Sequence, residues 1–406
     1  MVSAMYTDHY ELTMIEAALA DGTASKRSVF EAYFRRPPNQ HVDLNGVELP
    51  SFGVMAGADR IVETVAEFGF TSKQLVYLKS RGFLSAATLE WLGNYRFTGD
   101  LLVTQDGERI DAEVPVVTVR GSFAEAIILE TVILSILNSD ATIATRAMQF
   151  RHVAGPDAVL IEMGSRRTHE EHAVAAAHAA IIGGFNATSN LEAGFRFGVP
   201  TAGTAAHAWT LAHTGPVGEI KSFRSQMKAL GTDTTLLVDT YEIETGVRRA
   251  VQAAQDLGVT GPGAIRIDSG DLAIESVRAR ELLDSLGAHG TRIVASGDLD
   301  IPSIDRLHRS RAPIDAYGIG TRLVAAPPLG FIYKLVAIEG DDHEMVPVAK
   351  RSGTPAKATR GGDKTVVIDS TGAKVIGIGT DVRTTAITNG QRQPAHPIAT
   401  GQGATS

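Results

Sequence analysis

The sequence predicts an α/β fold: a parallel sheet wrapped by helices in the middle of the chain, and one α+β domain assembled from its two ends. Two observations carry this. Between about residues 155 and 322, short β-rich runs alternate with amphipathic helices, whereas before 120 and after 325 strand-like runs occur without that alternation. Regular β-α alternation with buried, non-alternating strands means a parallel sheet. Six or seven such units favour a closed barrel over an open sheet, although periodicity alone does not decide between them.

In the N-terminal segment, Val29-Phe-Glu-Ala-Tyr-Phe34 alternates as a strand. Val114-Pro-Val-Val-Thr-Val119 is a β-branched run whose Pro115 suits an edge strand. Ser122-Phe-Ala-Glu125 forms a capping box, predicted to open a helix reaching about Asn138, with a second helix over 140–152. In the middle zone strands are predicted over 158–163, 184–188, 235–239, 264–268, 292–296 and 315–320. Helices over 242–257 and 272–286 lie among them, each stopped by a glycine, Gly258 or Gly287. Beyond 325, strands over 331–338, 345–349 and 364–369 are separated by turn clusters, as in antiparallel hairpins, and are expected to pair with the N-terminal strands. The expected organisation is therefore 1–120 and 326–390 as one discontinuous α+β domain, 121–325 as the barrel, and 391–406 as a disordered tail.

Composition removes several classes of function. Of the 406 residues, 44% are hydrophobic and 21% charged, which excludes disorder, collagen and coiled coil for the chain as a whole. The 38 basic and 46 acidic residues leave a net charge of −8, without the basic footprint of a nucleic-acid partner. With no cysteine, disulfides, thiolate zinc sites and a cysteine nucleophile are excluded. No run approaches the ~20 apolar residues of a bilayer span, and the start lacks the basic and apolar regions of a secretory signal. The expectation is a cytoplasmic protein without a membrane partner.

Polar residues gather where the predicted strands end: Gly164-Ser-Arg166-Arg167, Ser189-Asn190, Asp239, Asp268, Ser296-Gly297-Asp298 and Gly318-Ile-Gly320-Thr321. In α/β barrels the catalytic groups sit at the carboxyl ends of the strands. One such cluster fits turn chemistry equally well, but the set together marks a site. Gly318-Ile-Gly320-Thr321 resembles a phosphate cradle of backbone N–H groups, a hydroxyl and a helix start; a tight βα turn is the plainer reading. It is neither G-x-G-x-x-G nor Walker A. Asp268-Ser-Gly-Asp271 suits a Mg²⁺ held together with a substrate phosphate, or equally a helix N-cap at Ser269 or Asp271. His169-Glu-Glu-His172 has the wrong spacing for H-E-x-x-H and reads as a solvated helix start. His207 follows a Gly-Thr turn near another expected strand end. Alone, such a histidine is more often structural than catalytic.

Taken in order, these motifs resemble the nicotinate phosphoribosyltransferase family over nearly the whole chain. Thr7-Asp8-His9-Tyr10-Glu11-Leu12-Thr13-Met14 is similar to the family's T-D-x-Y-x-L-T-M opening. The Arg166-Arg167 turn, Gly184–Asn190, Gly203-Thr-Ala-Ala-His207, Arg266–Leu272, Ala295–Leu299, Tyr317–Thr321 and Tyr333-Lys334-Leu335 follow in the family's order. The resemblance implies an irregular TIM-like α/β barrel with a second α+β domain, and a homodimer with shared active sites. It implies transfer of the phosphoribosyl group of 5-phosphoribosyl-1-pyrophosphate (PRPP) to nicotinate for NAD synthesis, with ATP as co-substrate through a phosphohistidine at His207.

The same resemblance implies roles for individual residues. Asp239, Asp268 and Asp298 are expected to contact ribose hydroxyls or Mg²⁺, with Asp268 and Asp271 as the metal pair. Arg266, Ser296 and Gly297 belong to the substrate-binding motifs, with Arg266 toward charged or phosphate groups. Gly318, Gly320 and Thr321 are assigned to the 5-phosphate. Arg166 and Ser189 are assigned to the nicotinate carboxylate, and Tyr10, from the other subunit, to stacking on the pyridine ring. Two departures stand out: Ala208 follows His207 where many relatives have Ser or Glu, and the Glu162-Met-Gly-Ser165-Arg166 turn is less aromatic than theirs. The alternatives are nicotinamide or quinolinate as the base, or a catalytically silent protein that binds NAD metabolites. Quinolinate enzymes lack the T-D-x-Y opening and the phosphohistidine motif, and the intact His207, Asp268 and Asp298 oppose the silent reading.

Overall fold

The structure is a computed structural model that describes residues 3–41, 46–350 and 359–394. It divides into two compact units. One is built from the N-terminal segment, residues 50–145 and the chain from 327 onward; the other from 146–326 with a short segment before residue 50.

The second unit is the barrel. Its strands are Val159–Glu162, Ala187–Thr188, Thr235–Leu237, Ala264–Ile267, Arg292–Ala295 and Ala316–Ile319. All pair in parallel, and the last in sequence lies between the first and the fifth. That cyclic order is the order of a barrel. The ring is interrupted between Ala187–Thr188, extended by a single bridge from Thr188 to Thr201, and Thr235–Leu237 at the opposite edge. Leu236, Ile265, Ile267 and Ile293 are fully buried because helices cover them. Helix Ile243–Gln255 presents Val247, Ala250, Val251 and Ala254, the i, i+3, i+4, i+7 stripe of one helix face.

The other unit is built on a seven-stranded antiparallel sheet in the order Met345–Pro347, Ile332–Glu339, Arg27–Tyr33, Val117–Ser122, Asp100–Val103, Thr384–Thr388, Gln391–Arg392. Ile15, Phe34, Ile61, Phe68, Leu92, Leu101 and Tyr333 fill its core.

Several expectations need correction here. The β-branched run at 114–119 is not an edge strand. Pro115, which has no N–H to donate, lies before the strand, and Val117–Ser122 runs in the sheet interior between Arg27–Tyr33 and Asp100–Val103. The Ser122/Glu125 capping box is formed, but its helix is only Phe123–Ile127. One continuous helix, Glu130–Ala154, follows where two were expected. The polar triplet 138–140 does not break it, because Asn138 and Asp140 have partners outside the helix and Ser139 Oγ donates to Asp140 Oδ1 at 2.7 Å. Asn138 Oδ1 accepts from the backbone N–H groups of Gly330 and Phe331, and Asp140 pairs with Arg60. The boundary between units accordingly falls at 145/146, inside this helix, and not at 120/121. By length and composition the stretch 123–154 is long and apolar enough to cross a membrane, contrary to expectation, although 67% of its most apolar window is buried within the protein. Gln391–Arg392, expected to begin the tail, is a strand paired with Ile387-Thr388; residues 395–406 lie outside the described residues.

Candidate active site

Parallel strands put all their carboxyl ends on one side, and there the barrel unit opens into a cleft of about 520 Å³. Eleven of the residues singled out in the sequence line it: Arg166, Ser189, His207, Arg266, Asp268, Ser296, Gly297, Asp298, Gly318, Gly320 and Thr321.

At its centre Arg266, on strand Ala264–Ile267, spreads its guanidinium over three partners. Nε donates to Ser296 Oγ at 2.7 Å, Nη2 to Asp268 Oδ1 at 2.7 Å, and Nη1 to Thr204 Oγ1 at 3.2 Å. Ser296 Oγ donates in turn to the same Asp268 oxygen. Burial alone would push the Asp268 carboxyl up, yet hydrogen bonds from Ser296 and Arg266, and the charges of Arg266 and His207, hold it below the usual carboxylate range. Asp268 is thus a charged group at neutral pH. Its Oδ2 lies 4.0 Å from His207 Nε2, and His207 Nδ1 lies 3.2 Å from Thr240 Oγ1.

Asp239 stands behind this centre. It is buried, and its Oδ2 accepts from the Asp268 backbone N–H at 2.9 Å and Ser269 Oγ at 2.6 Å; its Oδ1 has no hydrogen-bond partner among the described residues. Gly297 follows strand Arg292–Ala295 at φ +100°, and a Cβ there would sit 2.2 Å from the Asp268 carbonyl oxygen, so only glycine lets this turn lie against the Asp268 segment. Asp298 is also left-handed, at φ +46°, a backbone conformation that surrounding structure must hold in place and that clusters at functional sites.

On the other side, Arg166 lies in the short helical turn Ser165–Arg167 after the first barrel strand, exposed and without an ion-pair partner among the described residues. Ser189 is likewise exposed after Ala187–Thr188. At Gly318 a Cβ would meet Met163 Sδ at 2.7 Å, so the cleft floor leaves no room for a side chain. The helix expected after Gly320 is a single turn, Thr321–Val324. A cradle there consists of backbone N–H groups and the Thr321 hydroxyl, without a helix dipole behind them.

Two predicted site residues lie elsewhere. Asp271 does not line the cleft; it is exposed and caps helix Leu272–Ser285, accepting from Ala273 N at 3.0 Å. The described residues contain no group of three or more His, Asp or Glu able to hold a metal ion. With Asp268 Oδ1 engaged by Arg266 and Ser296, and Asp271 turned to its cap, the pair does not fit a protein-held Mg²⁺. Tyr10 belongs to the other unit, on helix His9–Asp21, and is 45% exposed. Its phenol is pushed up to about 12, first by burial and then by the charges of Glu130 and Glu11, and so stays neutral.

Thr204, Thr240 and Glu162 also belong to the site, beyond the residues expected from sequence. Thr240 directly follows Asp239, so strand-end position alone marks it. Thr204 stands in the Gly203–His207 motif, but its contact with Arg266 arises only through the fold.

Known proteins resemble this chain in sequence and fold. Residues 5–138 match the nicotinate phosphoribosyltransferase (NAPRTase) N-terminal domain family. The chain is 48% identical over 370 residues to nicotinate phosphoribosyltransferase pncB1 of Mycobacterium tuberculosis, covering 89% of this chain and 77% of that one. It is 39% identical to nicotinate phosphoribosyltransferase of Bacillus subtilis, covering 89% and 72%. The crystal structure of human nicotinic acid phosphoribosyltransferase shares its fold at a TM-score of 0.74 and 22% identity, covering 96% of this chain and 91% of that one. So does nicotinate-nucleotide pyrophosphorylase from Pyrococcus furiosus, at 0.76 and 21%, covering 97% and 91%.

Proposed function

Because the chain belongs to the nicotinate phosphoribosyltransferase family, we propose that it joins nicotinate to PRPP, forming nicotinate mononucleotide and pyrophosphate for NAD synthesis. The observation that carries this reading is the single cleft in which strand ends far apart in sequence bring a free arginine, a charged aspartate, a histidine and a glycine-lined turn together. As pyrophosphate leaves the anomeric carbon, positive charge develops on the ribose, and a fixed carboxylate facing it lowers the barrier. Asp268 supplies that carboxylate, kept ionised by Arg266. Asp298 offers a second carboxylate to the ribose hydroxyls. Asp239 acts from behind, holding the Asp268 backbone and Ser269. The Gly318 and Gly320 turn and the Thr321 hydroxyl receive the 5-phosphate. Arg166 pairs with the nicotinate carboxylate, and Ser189 donates to it.

ATP is the proposed co-substrate. His207 takes its γ-phosphoryl group on a ring nitrogen, releasing ADP, and the phosphoimidazole is later hydrolysed. Mg²⁺ enters with the phosphate groups of ATP and PRPP as part of those substrates. The functional form is proposed to be a homodimer, with Tyr10 of a second copy stacking on the pyridine ring. The barrel unit exposes Leu191, Phe195, Leu211 and Tyr241, apolar surface of the kind that interfaces cover.

The test is product and phosphate analysis of wild type and His207→Ala. Wild type should make nicotinate mononucleotide and carry acid-labile phosphate after ATP. His207→Ala should lose that phosphate and ATP turnover while keeping a slow ATP-independent transfer. ATP turnover in step with product in the variant would move the phosphate to another residue, and no nicotinate mononucleotide from wild type would overturn the reaction.

A further inference from the structure

Glu162 ends the first barrel strand and is 1% exposed. Burying a carboxyl group there is costly unless its oxygens are satisfied, and burial does push it up. An apolar residue would pack the sheet more cheaply. Both oxygens have partners, one in the turn that follows Glu162 and the other at the end of the neighbouring strand Ala187–Thr188. Oε1 accepts from the backbone N–H of Gly164, and Oε2 from Thr188 Oγ1 at 2.5 Å. The Glu162 carbonyl accepts from Ser189 N at 2.8 Å. Thr188 is fully buried, and its hydroxyl also accepts from Asn190 N at 2.9 Å. Asn190 Nδ2 then donates to Ser165 Oγ at 2.9 Å, while its Oδ1 caps helix Leu191–Phe197 through Ala193 N at 2.9 Å. The two roles together fix which end of the Asn190 amide points to Ser165. Gly164 is pinned as well, since a Cβ there would lie 2.4 Å from Val324 Cγ1.

The chain Ser165, Asn190, Thr188, Glu162, Gly164 therefore closes on itself across two neighbouring strand ends. Strand pairing already fixes Ile161 against Ala187 and Glu162 against Thr188. What the side chains add is the separation of the two turns beyond the sheet. Those turns carry Arg166, next to Ser165, and Ser189, between Thr188 and Asn190.

We propose that Glu162, Thr188, Asn190 and Ser165 form a positioning bridge that sets the spacing of Arg166 and Ser189, and thereby the cleft's selection of an anionic pyridine base. This rests on the assignment of Arg166 and Ser189 to the base carboxylate. The ribose and phosphate side is carried by the strand ends after Ala264–Ile267, Arg292–Ala295 and Ala316–Ile319, so loosening the bridge affects one substrate and spares the other. Two grips on one carboxylate work only at a matched distance, and a displacement of ~1 Å can cost up to ~100-fold in rate.

Thr188→Val keeps shape and strand pairing but removes the hydroxyl. Asn190→Ser keeps an N-cap oxygen for helix Leu191–Phe197 but is too short to reach Ser165. In steady-state kinetics each should raise the nicotinate KM by about tenfold, a scale set by such misplacement, with the PRPP KM unchanged, and should narrow the preference for nicotinate over nicotinamide. Thr188→Ser should restore wild-type values. Arg166→Ala is the control for the underlying assignment. If it leaves the nicotinate KM unchanged, that assignment falls and the proposal with it. If Arg166→Ala raises the nicotinate KM but Thr188→Val and Asn190→Ser do not, or if they raise both KM values together, the bridge is merely structural and the proposal is overturned while the base assignment stands.

Discussion

Asp268 in the barrel unit and Glu11 in the antiparallel unit show two opposite outcomes of burying a carboxyl group. In the barrel, Asp268 is partly buried beside Arg266 and held below the usual carboxylate range. In the antiparallel unit, Glu11 is fully buried, and its neighbours are neutral donors: Thr7 Oγ1, Thr131 Oγ1 and the Thr131 backbone N–H at 3.0 Å. Burial outweighs those hydrogen bonds and pushes it up to about 7. Asp106, accepting from Ala58 N at 2.8 Å, is likewise raised to about 7, chiefly by burial. At Glu11 and Asp106 neutral donors only soften desolvation, whereas at Asp268 the hydrogen bonds from Ser296 and Arg266, with the charge of Arg266, outweigh it. A charge intended to face a substrate needs the cation; a group that only ties segments together does not.

That contrast is open to direct test, and the largest effect is expected in the cleft. Asp268→Asn should lower kcat by about 100-fold or more, the scale of removing one electrostatic stabiliser, with little change in melting temperature because Arg266 keeps Ser296 and Thr204 as partners. Near-normal turnover would remove Asp268 from the transfer step. Next comes Ser189→Asp. An aspartate at this position could accept from a carboxamide, but against nicotinate it would set carboxylate against carboxylate. The nicotinate kcat/KM should fall by more than about tenfold, since an uncompensated like-charge contact costs more than ~1.4 kcal/mol.

The antiparallel unit supplies a smaller effect of opposite sign. Between its ordinary value of 4.5 and about 7, folded Glu11 keeps a proton that the unfolded chain has released. The folded state then binds more protons, so stability falls as pH rises across that window. The loss should be on the order of 1–3 kcal/mol in wild type by this linkage and shallower in Glu11→Gln. Melting curves collected across the window check it, and identical slopes would assign the effect elsewhere, with Asp106 the first place to look. Smallest is Asp271→Ala, which should cost about 1 kcal/mol of stability through the lost cap and leave turnover intact; a large loss of activity would return Asp271 to the site.

How much of this was legible in sequence differs between the units for a related reason. Barrel strands are covered on both faces, so they read as short apolar runs ending in polar turns, and Arg166, Ser189, Asp268 and Asp298 could be picked out by position alone, whereas Arg266, inside its strand, is marked only by the family motif. The unit boundary could not, because Asn138 and Asp140 look like a helix break until their tertiary partners, Gly330, Phe331 and Arg60, are known. Pro115 misled for a similar reason: it marks where a strand begins as readily as where a sheet ends. Asp271 looked like a ligand because a metal-binding turn and an N-cap share one local sequence. Glu162 was passed over because one acidic residue at a strand end carries no local sign of the hydroxyl and amide it meets across the sheet.

The central claim is that this cleft transfers a phosphoribosyl group to an anionic pyridine base. The most direct measurement is kcat/KM of the wild-type protein for nicotinate and for nicotinamide, with PRPP, in the presence and absence of ATP. The expected product is nicotinate mononucleotide, with a preference for nicotinate of more than about tenfold from the Arg166 and Ser189 contacts, and a gain on adding ATP. Equal use of nicotinamide, or no transfer to either base, would contradict it.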